Sequence, residues 1–177
     1  LFPVRKTPWY VPRRDLGCFE ENCKGYQGAG YYVAPNPPFG AVFTYYLAEE
    51  IRSLKDQRRE REKPLEKAGA DTPFPGWPAI MAEQLEDAPA MVLIVRDEQG
   101  NTVRQLEGPV TAGFHRVAWD LRYPLNHPWV DPDKAEEPWQ PPAGVLASPG
   151  TYTVSLARRI DGRLEELFRD LSSFIHY

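Results

Sequence analysis

Proline sets the first limit on what this chain can become. Nineteen prolines stand against thirteen glycines in 177 residues, and each proline fixes φ and removes a backbone donor, so long helices are excluded where they cluster. They cluster twice. Pro3, Pro8, Pro12, Pro35, Pro37 and Pro38 lie near the start, and Pro124, Pro128, Pro132, Pro138, Pro141, Pro142 and Pro149 lie further on. The pattern argues for many loops and against a helical bundle. It does not describe a disordered chain, because 42% of the residues are hydrophobic and 26% charged, enough to bury a normal core. The length suits one ordinary domain with a terminal arm.

The net charge of −4 lacks the electrostatic footprint of a nucleic-acid binder. No run of about 18 apolar residues is present to span a membrane as a helix. The chain opens on Leu1 rather than Met and shows no signal peptide, which reads as a mature piece, a processed fragment or a shortened chain. Cys18 and Cys23 are separated by four residues. A small loop disulfide fits that spacing and an oxidising compartment, and two free thiols fit it equally well. A metal site is disfavoured, since His115, His127 and His176 are remote from the cysteines and no second Cys pair completes a tetrahedral set.

Residues 1–40 read as an extended arm. Glycines punctuate the prolines, and Phe2, Trp9, Tyr10, Phe19, Tyr26, Tyr31, Tyr32 and Phe39 carry too much apolar surface for a free linker. Such an arm lies against its own domain or against a neighbour. At Ala41, Phe43, Tyr45 and Leu47 apolar residues alternate as in a strand. The stretch Ala48 to Lys63 is then dense in charge, with Arg52–Asp56 and Arg58–Glu62 spaced to support a water-facing helix that Pro64 ends or kinks. A second short helix is predicted from Trp77 to about Leu85. The pair forms a helical insertion at about 48–88 in a β-framework.

Ala90 to Arg96 holds a continuous apolar run, predicting a central strand buried on both faces. Asp97 to Asn101 is turn chemistry leading to a hairpin partner, Thr102 to Leu106. From Gly113 another strand turns Val117, Trp119 and Leu121 inward, and residues 123–149 are irregular. Gly150 opens a strand with Tyr152, Val154 and Leu156 on one face, and Asp161-Gly162 signals a tight hairpin leading to Leu164 and Phe168. About six short strands with turns between them predict a mainly β fold, an antiparallel β-sandwich over residues 41–169.

No catalytic motif is present: G-x-S-x-G, a phosphate loop and H-E-x-x-H are all missing. Gly28-Ala29-Gly30 runs into Tyr31-Tyr32-Val33 rather than a helix start, so it fails as a nucleotide fingerprint. Asp131, Asp133, Glu136 and Glu137 lack the glycine and the closing glutamate of a calcium loop and read as a solvated acidic loop. Asp120 and Arg122 read as a structural pair or as loop-anchoring groups. Trp119 belongs to the core. Trp77, Trp129 and Trp139, in proline-rich loops, could stack on sugar rings or pin the loops down.

Three segments resemble one family. Asn36-Pro37-Pro38-Phe39-Gly40-Ala41-Val42-Phe43-Thr44-Tyr45-Tyr46-Leu47 is similar to a stretch that follows the β-propeller in large secreted bacterial proteins, the sortilin-like or glycosyl-hydrolase-like (neuraminidase-repeat) propeller proteins. Gly113-Phe114-His115-Arg116-Val117-Ala118-Trp119-Asp120-Leu121-Arg122-Tyr123-Pro124 and Pro149-Gly150-Thr151-Tyr152-Thr153-Val154 resemble the second and third hallmarks. The resemblance covers about residues 24–165. It implies an Ig-like sandwich of the flagellar hook-capping type appended to a propeller, in a secreted or periplasmic protein, with residues 1–40 as the propeller exit.

Two segments depart from that family. The insert between Cys18 and Cys23 replaces a Gly-rich stretch, and residues 170–177 do not read as its closing strand, so they are set apart as a tail. No catalytic residue carries over, and any hydrolase activity would sit in a propeller outside this chain. The expected function is a non-catalytic structural or interaction module without a cofactor. It docks on a larger β-propeller polypeptide or another subunit through Phe2, Trp9, Tyr10, Tyr31 and Tyr32. The alternative is a carbohydrate-binding accessory module using Trp129 and Trp139.

Overall fold

A computed structural model describes residues 1–10, 38–125 and 144–176, with backbone alone for 168–176. The element order is β1 (Thr7–Pro8), β2 (Ala41–Leu47), α1 (Leu54–Lys67), α2 (Trp77–Leu85), β3 (Ala90–Arg96), β4 (Thr102–Gly108), β5 (Gly113–Trp119), β6 (Gly150–Ile160) and β7 (Arg163–His176). The fold is mainly β, in antiparallel sheets with two short helices. One sheet has five strands in the order β1-β7-β6-β3-β4, and the other pairs β2 with β5. Among the described residues a single junction is parallel: Thr7 and Pro8 lie beside Ile175 and His176. The arm thus closes a sheet edge at the one place where its short strand runs with its neighbour.

Strand β3 sits between β6 and β4, and its two faces meet different surroundings. Met91, Leu93 and Val95 join Ala41, Phe43 and Tyr45 of β2, Trp119 of β5, and Tyr152, Val154 and Leu156 of β6 in one buried cluster. Both sheets therefore contribute to one core. Each large side chain buried there is worth about 1.5–3 kcal/mol. The three aromatics with polar tips satisfy them on backbone carbonyls. Tyr45 donates its hydroxyl to Pro109 O at 2.6 Å, Trp119 its indole N–H to Arg122 O at 2.9 Å, and Tyr152 its hydroxyl to Ser148 O at 2.8 Å. Buried aromatics retain stability this way, since an unpaired tip would carry its desolvation penalty.

The opposite face of β3 holds Ala90, Val92 and Ile94 with Ala157. Register places Arg159 beside Ala90 and Glu107 beside Val92. The Arg159–Glu107 ion pair at 2.7 Å therefore crosses β3 above these small apolar residues. Arg96 reaches the other way, to Ser155 Oγ at 2.7 Å and Glu166 at 2.5 Å. Arginine stems cover the strip while their heads stay in water.

Three expectations are corrected. The charged helix begins at Leu54, not Ala48, because Ser53 caps it: its Oγ accepts from Asp56 N at 3.1 Å. Residues 48–53 are instead pinned to the loop after β4 by Ile51 N–H donating to Val110 O at 3.0 Å. Asp56 being the capping partner, Arg52 pairs with Glu50 rather than with it. Of the two readings of Pro64, the end of the helix is ruled out, since α1 runs on to Lys67. No residue of α1 is buried, so the Glu60 carbonyl that Pro64 leaves without its helical N–H lies on a solvent-facing helix, where such a gap costs little. Finally, β7 runs to His176, pairing Gly150 with Ile175 and Thr151 with Phe174. Residues 170–176 are strand, not tail. The tight turn at Asp161 (φ 48°) and Gly162 (φ 70°) starts the register, and a β6 of eleven residues needs a partner that returns its full length.

Candidate functional site

The described part of the arm divides its side chains between the core and the surface. Leu1, Val4 and Trp9 pack against the shared core, and Trp9 donates its indole N–H to Ala147 O at 2.8 Å. Of the three described docking candidates, Trp9 is therefore engaged inside its own domain. Phe2 is not. Its backbone N–H donates to Thr44 O at 2.9 Å, which seats its ring on the outer side of the two-stranded sheet.

That outer side follows from period-two alternation. Because Phe43 and Tyr45 face the core, Tyr46 faces out, and the register sets Tyr46 directly opposite Phe114 of β5. Their centroids are 4.9 Å apart, and Phe2 lies 5.7 Å from Phe114. Phe114 is 70% exposed, Tyr46 51% and Phe2 43%. Three aromatic rings in mutual contact thus stand in water on one face, and the pair Thr44–Arg116 continues that face along the strands. Tyr10, the other exposed aromatic among the described arm residues, instead meets Phe39 edge-on at 4.9 Å, ahead of β2. Such clustered exposure marks a binding surface more than scattered single apolar residues do.

The remaining polar candidates have structural partners. His115 donates from Nε2 to Thr111 O at 2.7 Å and lies 5.2 Å from the Tyr45 ring. Asp120 Oδ1 accepts from Arg122 N at 3.1 Å, so these two anchor the loop rather than forming a side-chain pair. The Arg122 guanidinium donates instead to Gly144 O at 2.7 Å. Tyr123 N–H donates to Val145 O and Ala147 N–H to Leu121 O. Together these clamp the corner where buried Leu121 holds a positive φ of 58°. This corner is the segment Trp119-Asp120-Leu121-Arg122, and its residues serve architecture.

Cys18, Cys23, Tyr31, Tyr32, Trp129 and Trp139 lie outside the described residues, as do His127 and the acidic residues Asp131, Asp133, Glu136 and Glu137. Among the described residues, no group of three or more His, Cys, Asp or Glu is arranged to hold a metal ion, and no helix is long and apolar enough to cross a membrane. Sequence reasoning singled out Phe2 but missed Tyr46 and Phe114. The available signal was phase: each is a large aromatic at the outward position of a strand whose inward positions were already assigned. Comparison with protein-family models, with curated proteins and with solved structures returns no match.

Proposed function

We propose that this chain is a non-catalytic interaction module of a larger secreted or periplasmic protein. In this reading it is an Ig-like β-sandwich that docks on a β-propeller or another subunit through the Phe2–Tyr46–Phe114 face. The supporting observation is that contact between three exposed rings, one of them from the arm. The arm begins at this face, so a propeller joined ahead of Leu1 would meet the cluster first. Burial of the three rings would stabilise such a joint at roughly 25 cal/mol per Å² of apolar surface removed from water. The non-catalytic part of the reading rests on the motifs of the sequence, where no nucleophile, base and orienting group are spaced together.

Native mass spectrometry of the protein from its source tests the proposal. The expected result is association with a larger polypeptide that Phe114→Ser weakens at least tenfold, with an unchanged circular dichroism spectrum because the ring is exposed. A free monomer, or an association indifferent to Phe114→Ser and Tyr46→Ser, overturns it. Saturable quenching of tryptophan fluorescence by oligosaccharides would favour the carbohydrate-binding alternative at Trp129 and Trp139 instead.

A further inference from the structure

The arm is tied to both sheets. Near its start, Phe2 N–H donates to Thr44 O of β2 at 2.9 Å, in the two-stranded sheet. Further along, Thr7 and Pro8 lie beside Ile175 and His176 of β7, in the five-stranded sheet. Between Phe2 and Pro8 the chain therefore crosses from one sheet to the other. The ladder it makes there is two residues long, where β2 has seven and β7 fourteen, and Pro8 brings no N–H to it. A segment with so few backbone ties opens easily unless its side chains hold it down. Here they do: Leu1, Val4 and Trp9 pack against the shared core. Trp9 is the largest of the three and adds a directed bond, its indole N–H donating to Ala147 O at 2.8 Å.

The three-ring face depends on this arm. Tyr46 and Phe114 are set opposite each other by the pairing of β2 with β5, and that pairing does not involve the arm. Phe2 joins them only while the arm is closed, through its backbone bond to Thr44 O and its ring contact with Phe114 at 5.7 Å. The Phe2 ring is 43% exposed, so its own burial contributes little to keeping it in place. The anchorage comes from further along the chain, at Trp9. A partner that buries all three rings binds the closed arm and not the open one. Partner binding and arm closure therefore favour each other, by the same factor in both directions.

We propose that Trp9 is a positioning residue for the docking face: its anchorage in the core closes the arm and so holds the Phe2 ring against Phe114. The assignment rests on the docking role proposed for that face. Nuclear Overhauser contacts between labelled phenylalanine and tyrosine rings of the whole chain test it with no partner present. The wild type is expected to show both a Phe2–Phe114 and a Tyr46–Phe114 cross-peak. Trp9→Ser should lose the first and keep the second, and Trp9→Phe, which keeps the apolar body, should retain about half of the first. A Phe2–Phe114 cross-peak at full intensity in Trp9→Ser overturns the proposal, as does its absence from the wild type. Should Trp9→Ser also lose the Tyr46–Phe114 contact because the sheets unfold, Trp9→Phe decides, and an unchanged Phe2–Phe114 intensity overturns the proposal. Where a larger polypeptide is found bound, Trp9→Ser should weaken that association at least threefold, and an indifferent association overturns the coupling. A lost Phe2–Phe114 cross-peak with no bound polypeptide upholds the positioning by Trp9 and overturns the docking role alone.

Discussion

Tyr45 concentrates several physical effects in one side chain. It is fully buried, its hydroxyl bonds Pro109 O, and burial pushes that hydroxyl from the ordinary 10 up to about 12. The folded state therefore resists ionisation that the unfolded chain undergoes near pH 10. The resulting stability is complete below pH 10 and is lost as pH rises through 12, by about 2–3 kcal/mol. Urea denaturation below pH 10 and near pH 12 should show this loss in the wild type and a smaller one in Tyr45→Phe. At neutral pH, Tyr45→Phe should destabilise by about 1 kcal/mol through the lost hydrogen bond. Gly108 belongs to the same site, because a Cβ there would collide with the Tyr45 hydroxyl. Trp9→Phe keeps the apolar body but loses the donor to Ala147 O, and the same measurement should register about 1 kcal/mol.

At the scale of elements, the α1–α2 hairpin is held by charge where the sheets are held by packing. Neither helix has a buried residue, and Arg58 is the shared tie, bound by Glu62 and Glu83. Arg58→Ala should speed amide exchange throughout α1 and α2 while leaving β3 protected, as hydrogen-exchange mass spectrometry would show. The hydrogen bond and charge of Arg58 hold the Glu83 carboxyl below its ordinary 4.5. That contribution is present above about pH 4.5 and is lost as pH falls through the lowered value. The hairpin should therefore loosen in acid before the sheets do. The existence of both helices was legible from charge spacing and from Trp77 onward. The start of α1 was overlooked although its signal is local: Ser53 stands three residues before Asp56, whose N–H its Oγ accepts, whereas the tie of Leu54 N to Glu86 joins segments thirty-two residues apart.

For the whole molecule, the decisive fact is that two sheets share one core. Leu93→Ala should destabilise by about 2–5 kcal/mol and unfold both sheets in a single transition, with coincident near- and far-ultraviolet circular dichroism. The sequence by itself determined which residues face inward, since alternation in β2, β5 and β6 and the unbroken apolar run of β3 follow from the two-residue period of a strand. It also determined the Asp161-Gly162 turn, because only residues tolerant of positive φ close so short a hairpin. The tertiary structure decided what depends on remote partners. Thr7 and Pro8 become a strand only beside Ile175 and His176, and Trp9 belongs to the core only because Ala147 O lies in reach. The tail becomes strand because β6 needs a partner along its length. Phe2, Tyr46 and Phe114 form one surface only through pairing between segments that are far apart in the chain. Local preference acts over a few residues, whereas register and contact between distant segments are set by the packing they create together.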